Sequence, residues 1–170
     1  MSSAIEVTDQ GSTLTFTFED LMRYHGPGSP GGVAHAFKVL QRALPLLESG
    51  TPPQRREIEI QTAFAGPGAR DGMEMVTRAV TESRYVVDDR LVRPDLGATR
   101  ERFVFQLGYR GRRVTLTLRE GYVGEEFLTL ARMENRSQEQ ERRLTKLKWD
   151  MAKHLLATPA DEVYDVDSDD

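Results

Sequence analysis

An α+β domain is what this sequence predicts, and three observations predict it. Apolar residues recur at helical spacing through residues 30–48 and again through 137–157. Polar and apolar residues alternate over 57–64, the pattern of a half-buried strand. Two further strand-like runs, 103–109 and 114–118, flank the short turn Arg110-Gly111-Arg112-Arg113 and read as a β-hairpin. Such an order of elements packs as an antiparallel sheet covered by the two long helices. No internal repeat is visible.

Composition bounds the rest. The chain has 170 residues, 38% hydrophobic and 29% charged, enough for one domain that buries about two thirds of its unfolded surface. A net charge of −4 disfavours a broad nucleic-acid interface and gives no attraction to anionic lipid. Without cysteine there is no disulfide, thiolate nucleophile or cysteine zinc site. The start Met1-Ser2-Ser3-Ala4-Ile5-Glu6 has neither a basic nor an apolar signal region, and no apolar run is long enough to span a bilayer. A soluble cytoplasmic protein is expected. Its expected organisation is a flexible N-terminus over 1–12, a single domain over 13–166 and an acidic, disordered tail over 167–170.

Along the chain, Leu14, Phe16 and Phe18 alternate with threonines, which suits either a short strand or an extended lead-in. Thr17-Phe18-Glu19-Asp20 has the cap and acidic first turn of a short helix through Leu21, Met22 and Tyr24. Next comes Tyr24-His25-Gly26-Pro27-Gly28-Ser29-Pro30-Gly31-Gly32, whose prolines and glycines exclude a regular element. Ser29-Pro30 supplies N-cap and first-turn chemistry for the helix of 30–48, which Ser49-Gly50-Thr51-Pro52-Pro53 stops and which Pro45 is placed to end early or kink. A second glycine-rich loop, 65–70, leads into a helix near 70–81, followed by a strand at Tyr85-Val86-Val87. Leu128 and Leu130 mark a short apolar element, and residues 161–166 a terminal turn docked on the domain.

The histidine loop is the leading site candidate. It sets His25 just ahead of a helix N-terminus, where bare amides and the positive end of the macrodipole favour an anion or polar ligand. His25 could bind a metal, transfer a proton, or simply hydrogen-bond the loop. His35, in the first turns of the next helix, could join it at a metal with a carboxylate, or pack with its nitrogens satisfied, although nine intervening residues match no established ligand spacing. His154 reads as structural. Gly66-Pro67-Gly68 with Asp71 repeats the arrangement of strand, glycine turn and helix start, and its amides could cradle phosphate or carboxylate. It is neither a P-loop nor GxGxxG, and Asp71 alone reads as a charge set against a helix dipole. Arg110, Arg112, Arg113 and the Arg/Glu-rich stretch 132–143 read as solvated faces. No Gly-x-Ser-x-Gly elbow is present, and Ser29 has no base other than His25.

In order, these motifs resemble the FmdE-like family of formylmethanofuran dehydrogenase components, whose members run a short phenylalanine-led helix into a His-Gly-His-x-Cys-Pro-Gly loop and a long apolar helix. Phe18-Glu19-Asp20-Leu21-Met22-Arg23-Tyr24-His25-Gly26-Pro27-Gly28-Ser29-Pro30-Gly31 is similar. So is Gly68-Ala69-Arg70-Asp71-Gly72-Met73-Glu74, where the family has Cys-x-x-Asp-Ala-Ile-Gln. The likeness spans roughly 14–166 and ends in a leucine-proline-acidic-apolar signature at 155–166. His25, Gly26, Pro30, Gly31 and Asp71 match, whereas Pro27 stands for the second histidine and Ser29 and Gly68 for the two cysteines. The resemblance implies the α+β fold, a homodimer and a link to one-carbon metabolism, without the family's His/Cys metal cluster. The expected function is binding of a small anionic or polar ligand by His25, Gly26, Gly28, Ser29, Gly31, Gly68 and Asp71. The alternatives are an enzyme with His25 and Asp71 as acid/base pair, or a metal protein using His25 and His35. No cofactor can be named.

Overall fold

Ile5 and Val7 alternate with polar residues, and so do Leu14 and Phe16 across the intervening Gln10-Gly11. In the computed structural model, which describes residues 4–167, these runs form an antiparallel hairpin, β1 (Ala4–Asp9) and β2 (Ser12–Thr17), pairing Ile5 with Phe16 and Val7 with Leu14. Gln10 and Gly11 both have positive φ, 51° and 83°, as a two-residue hairpin turn demands. Residues 1–12 were expected to be flexible; from Ala4 onward they are a strand and its turn, with Ile5 and Val7 buried in the core. The flexible reading overlooked that two short alternating runs need only a turn between them to zip together.

Helix α1 (Phe18–His25) follows directly, fixed by a reciprocal capping box between Thr17 and Asp20. Helix α2 (Pro30–Leu47) starts with proline at its first position. Pro45 does not shorten it, because the helix continues two residues further, to Leu47. Every residue of α2 from Val33 to Leu40 is buried. That stretch is the central rod of the fold, because a helix segment covered on every side has no other stable place in water.

Strand β3 (Ile58–Thr62) leads into helix α3 (Pro67–Thr77), then β4 (Tyr85–Val87). The helix starts three residues before the expected position and ends at Thr77 rather than 81, where Arg78 turns left-handed at φ 60°. Next come β5 (Val104–Tyr109), β6 (Arg112–Leu118), α4 (Glu125–Arg132) and α5 (Gln138–Ala157), the last opened by a Ser137–Gln140 capping box. Strand β7 (Tyr164–Val166) closes the order.

The main sheet runs β4-β3-β5-β6-β7. It is antiparallel except for β3 with β4, which the crossover through α3 makes parallel. That pair departs from the wholly antiparallel sheet expected, while the α+β class holds. The segment expected to dock as a turn pairs instead as a strand, Leu118 opposite Tyr164. Of the expected acidic tail only Asp167 is described; its N–H donates to Thr115 O at 2.8 Å, and the remainder lies outside the described residues. Among the described residues no helix is long and apolar enough to cross a membrane.

Candidate functional site

His25 is the last residue of α1. Gly26 terminates the helix at φ +89°, its N–H donating to Met22 O at 2.7 Å, a backbone angle that a residue with a Cβ adopts only under strain. Asp71 stands one turn into α3, which Gly66 and Pro67 open as N-cap and first residue. The two side chains meet: His25 Nδ1 and Asp71 Oδ2 are 2.8 Å apart, with 9% of the imidazole and 26% of the carboxylate exposed. Arg70 Nε lies 3.6 Å from the other carboxylate oxygen.

A carboxylate can only accept here, so it keeps the proton of a neutral imidazole on Nδ1 and leaves Nε2 with a bare lone pair. No partner for Nε2 exists among the described residues. Once protonated, the ring is held by Asp71 as an ion pair and offers Nε2–H to an acceptor or an anion. The arrangement can thus accept a hydrogen bond, donate one, or pass a proton.

The glycines divide into two groups. Around Gly26 and Gly28 an added Cβ would find nothing within 4 Å, so that part of the loop presents open backbone. Gly31 and Gly68, expected to hold ligand through their amides, are instead packed. A Cβ on Gly68 would lie 2.6 Å from Ser29 O, and one on Gly31 2.9 Å from Met151 Sδ. Gly32 and Gly72 are equally close, to Ala69 N at 3.1 Å and Ala36 Cβ at 2.8 Å. Gly32, Gly68 and Gly72 let α2 and α3 approach almost backbone to backbone, Gly72 also admits Leu21 of α1, the helix that carries His25, and Gly31 admits Met151 of α5. The two glycine segments meet, as the sequence predicts, and Gly31 and Gly68 stand where one helix packs on another. Ser29, at the N-cap, makes no side-chain cap bond.

His35 does not join His25. It is buried in α2, with Nδ1 hydrogen-bonded to Tyr164 Oη at 2.8 Å and its ring centroid 4.6 Å from that of Phe103. Burial pushes its pKa down to about 3, so the ring is neutral at physiological pH. Among the described residues no group of three or more His, Asp or Glu side chains could hold a metal ion. The proposed His25–His35 metal pair therefore falls: α2 turns His35 toward the sheet and its aromatic residues. His154 lies on the surface with its ring 4.6 Å from that of Tyr122.

One contributor escaped the sequence reading. Lys148 of α5 donates from Nζ to Gly28 O at 3.0 Å and ties the loop to the C-terminal helix. Burial lowers its pKa. Nothing in the charged stretch around Lys148 distinguishes it from its solvated neighbours. No protein-family model matches this chain, and no curated protein matches it. The likeness to the FmdE-like family therefore rests on the quoted motifs alone.

Proposed function

We propose that the protein is a small-ligand-binding or accessory protein that engages a small anionic or polar molecule at the His25 loop. The observation that carries this reading is the 2.8 Å contact between His25 Nδ1 and Asp71 Oδ2, which fixes the ring orientation and leaves Nε2 without a partner among the described residues. Lys148 adds rigidity by holding Gly28. A link to one-carbon metabolism, an FmdE-like identity, a homodimeric state and a cytoplasmic location come from the motif resemblance and belong to the same proposal.

Thermal-shift screening of formate, formylated compounds and small oxyanions against the intact protein tests the reading. A hit whose stabilisation disappears in both His25→Ala and Asp71→Ala supports it. Hits that bind those variants as before move the site elsewhere. Light scattering tests the dimer, which a monomer mass would remove.

The same pair favours a second reading, an enzyme in which His25 is general base or acid and Asp71 orients it. Turnover that is lost in His25→Gln supports this; absence of turnover on formyl or pterin-like substrates counts against it.

A further inference from the structure

A groove of about 1010 Å³ runs along the C-terminal half of α2, over β1, the start of α1 and the end of α5. Neither His25 nor Asp71 lines it. Its walls are mainly apolar: Ile5, Phe18, Phe37, Leu44, Leu46 and Leu156. Phe18 and Phe37 meet edge to face, with ring centroids 6.4 Å apart, and Leu46 is 44% exposed. A concavity of this size that combines apolar walls with polar side chains has the form of a small-molecule site.

Two polar side chains stand in that lining three residues apart on one face of α2, and neither has a partner. Lys38 is only 6% exposed, yet among the described residues it makes no ion pair or hydrogen bond. Gln41 Oε1 is buried with no donor to it among the described residues. The Lys38 stem is buried while Nζ keeps contact with solvent in the groove, and partial burial lowers the Lys38 pKa. The nearby cation Arg42 is already committed, its Nε donating to Tyr164 O at 3.2 Å. The acidic lining residues Glu6, Glu19 and Asp161 are exposed, while Glu48 is half-buried. Their field opposes a multiply charged anion and leaves room for a single negative charge at Lys38.

From the unpartnered Lys38 and Gln41 in an apolar groove we infer a second binding site, for an amphipathic monocarboxylate. The carboxylate lies on Lys38 Nζ, a hydroxyl or N–H beside it donates to Gln41 Oε1, and the hydrocarbon chain covers Phe18, Phe37 and Leu44. The site is independent of the His25 reading.

Calorimetric titration of the full chain with 2-hydroxydecanoate tests it, with decanoate and uncharged 1,2-decanediol as comparisons. The expected order is hydroxy acid tightest, decanoate weaker, and the diol at least about tenfold weaker than the hydroxy acid, the usual worth of a charge-assisted hydrogen bond. Lys38→Met should bring the hydroxy acid down to the affinity of the diol. Because Met keeps the buried stem and removes only the solvated head group, the variant's melting temperature should change little. A diol as tight as the hydroxy acid, a Lys38→Met variant that binds unchanged, or no binding by any probe overturns the inference. Decanoate matching the hydroxy acid would remove the donor to Gln41. The comparison of acid with diol uses the wild-type chain, so it stands even if the variant misfolds.

Discussion

Lowering the pH from 7.5 to 5 should weaken this fold through one side chain, His35. Its imidazole is buried, bonded to Tyr164 Oη at 2.8 Å, and its Nε2 has no partner among the described residues. Above the ordinary histidine value of 6.5 the ring is neutral in both folded and unfolded chains. Below it the unfolded chain takes up a proton that the folded ring refuses until about pH 3. Stability therefore falls as pH falls through that window, by about 1.4 kcal/mol per unit, or about 2 kcal/mol between 6.5 and 5. Carboxylates held low by arginines, such as Asp9 beside Arg56 and Glu82 beside Arg84, start from ordinary values of 3.8 and 4.5 and act at lower pH. Urea denaturation at pH 7.5, 6.5, 5.8 and 5.0 measures the loss. His35→Gln keeps a hydrogen-bonding group without a titration and should lose about 2 kcal/mol less over the same range. Equal pH slopes for variant and wild type, or an NMR titration of His35 centred near 6, would refute the reasoning.

Further expectations concern the helix crossing, a buried arginine and the histidine tautomer. Gly68→Ala drives a methyl toward Ser29 O, which is backbone and cannot step aside; chemical melts should show a loss of about 1–3 kcal/mol, and an unchanged midpoint would mean that α2 and α3 separate easily. Arg55 donates to Val76 O at 2.9 Å and Met75 O at 2.7 Å, closing the last turn of α3. Arg55→Met should cost about 2 kcal/mol, with Arg55→Lys rescuing only part, because an ammonium cannot reproduce the fork. In neutral His25 the proton should sit on Nδ1, the reverse of the usual preference, and long-range ¹H–¹⁵N spectra read this directly; a dominant Nε2–H form would show that Asp71 is not the acceptor.

Much of this architecture was legible because its periods are long. The apolar run of α2, the charged but striped α5 and the hairpin around Gly111 carry enough repeats for spacing alone to specify them. The meeting of His25 with Asp71 was foreseeable from two similar segments, each combining glycines with a proline at a helix start. The reason for those glycines was hidden. Gly68 and Gly32 look like ligand-approach residues in sequence, yet what approaches them is another helix. The N-terminal hairpin was missed because each strand offers only two core residues, Ile5 with Val7 and Leu14 with Phe16, and the turn uses Gln10 where asparagine or aspartate is the stronger signal. Lys38 carries only a faint signal in the sequence, a charge between Phe37 and Val39 with Arg42 one turn further on. Only the groove gives that charge a meaning.

Tyr164 lies 129 residues beyond His35, whose ring it bonds, and it pairs with Leu118 at the end of the sheet. During synthesis the central rod is made early, but the slot beside it stays open until one of the last strands emerges. A nascent chain halted before that point holds Phe105 and Leu116 without the neighbour that covers them, and such half-built interiors are what chaperones recognise. Completion of this fold is thus set by β7, and a chain held on the ribosome should acquire protease resistance only when a linker added after residue 170 is long enough to carry Tyr164 clear of the exit tunnel.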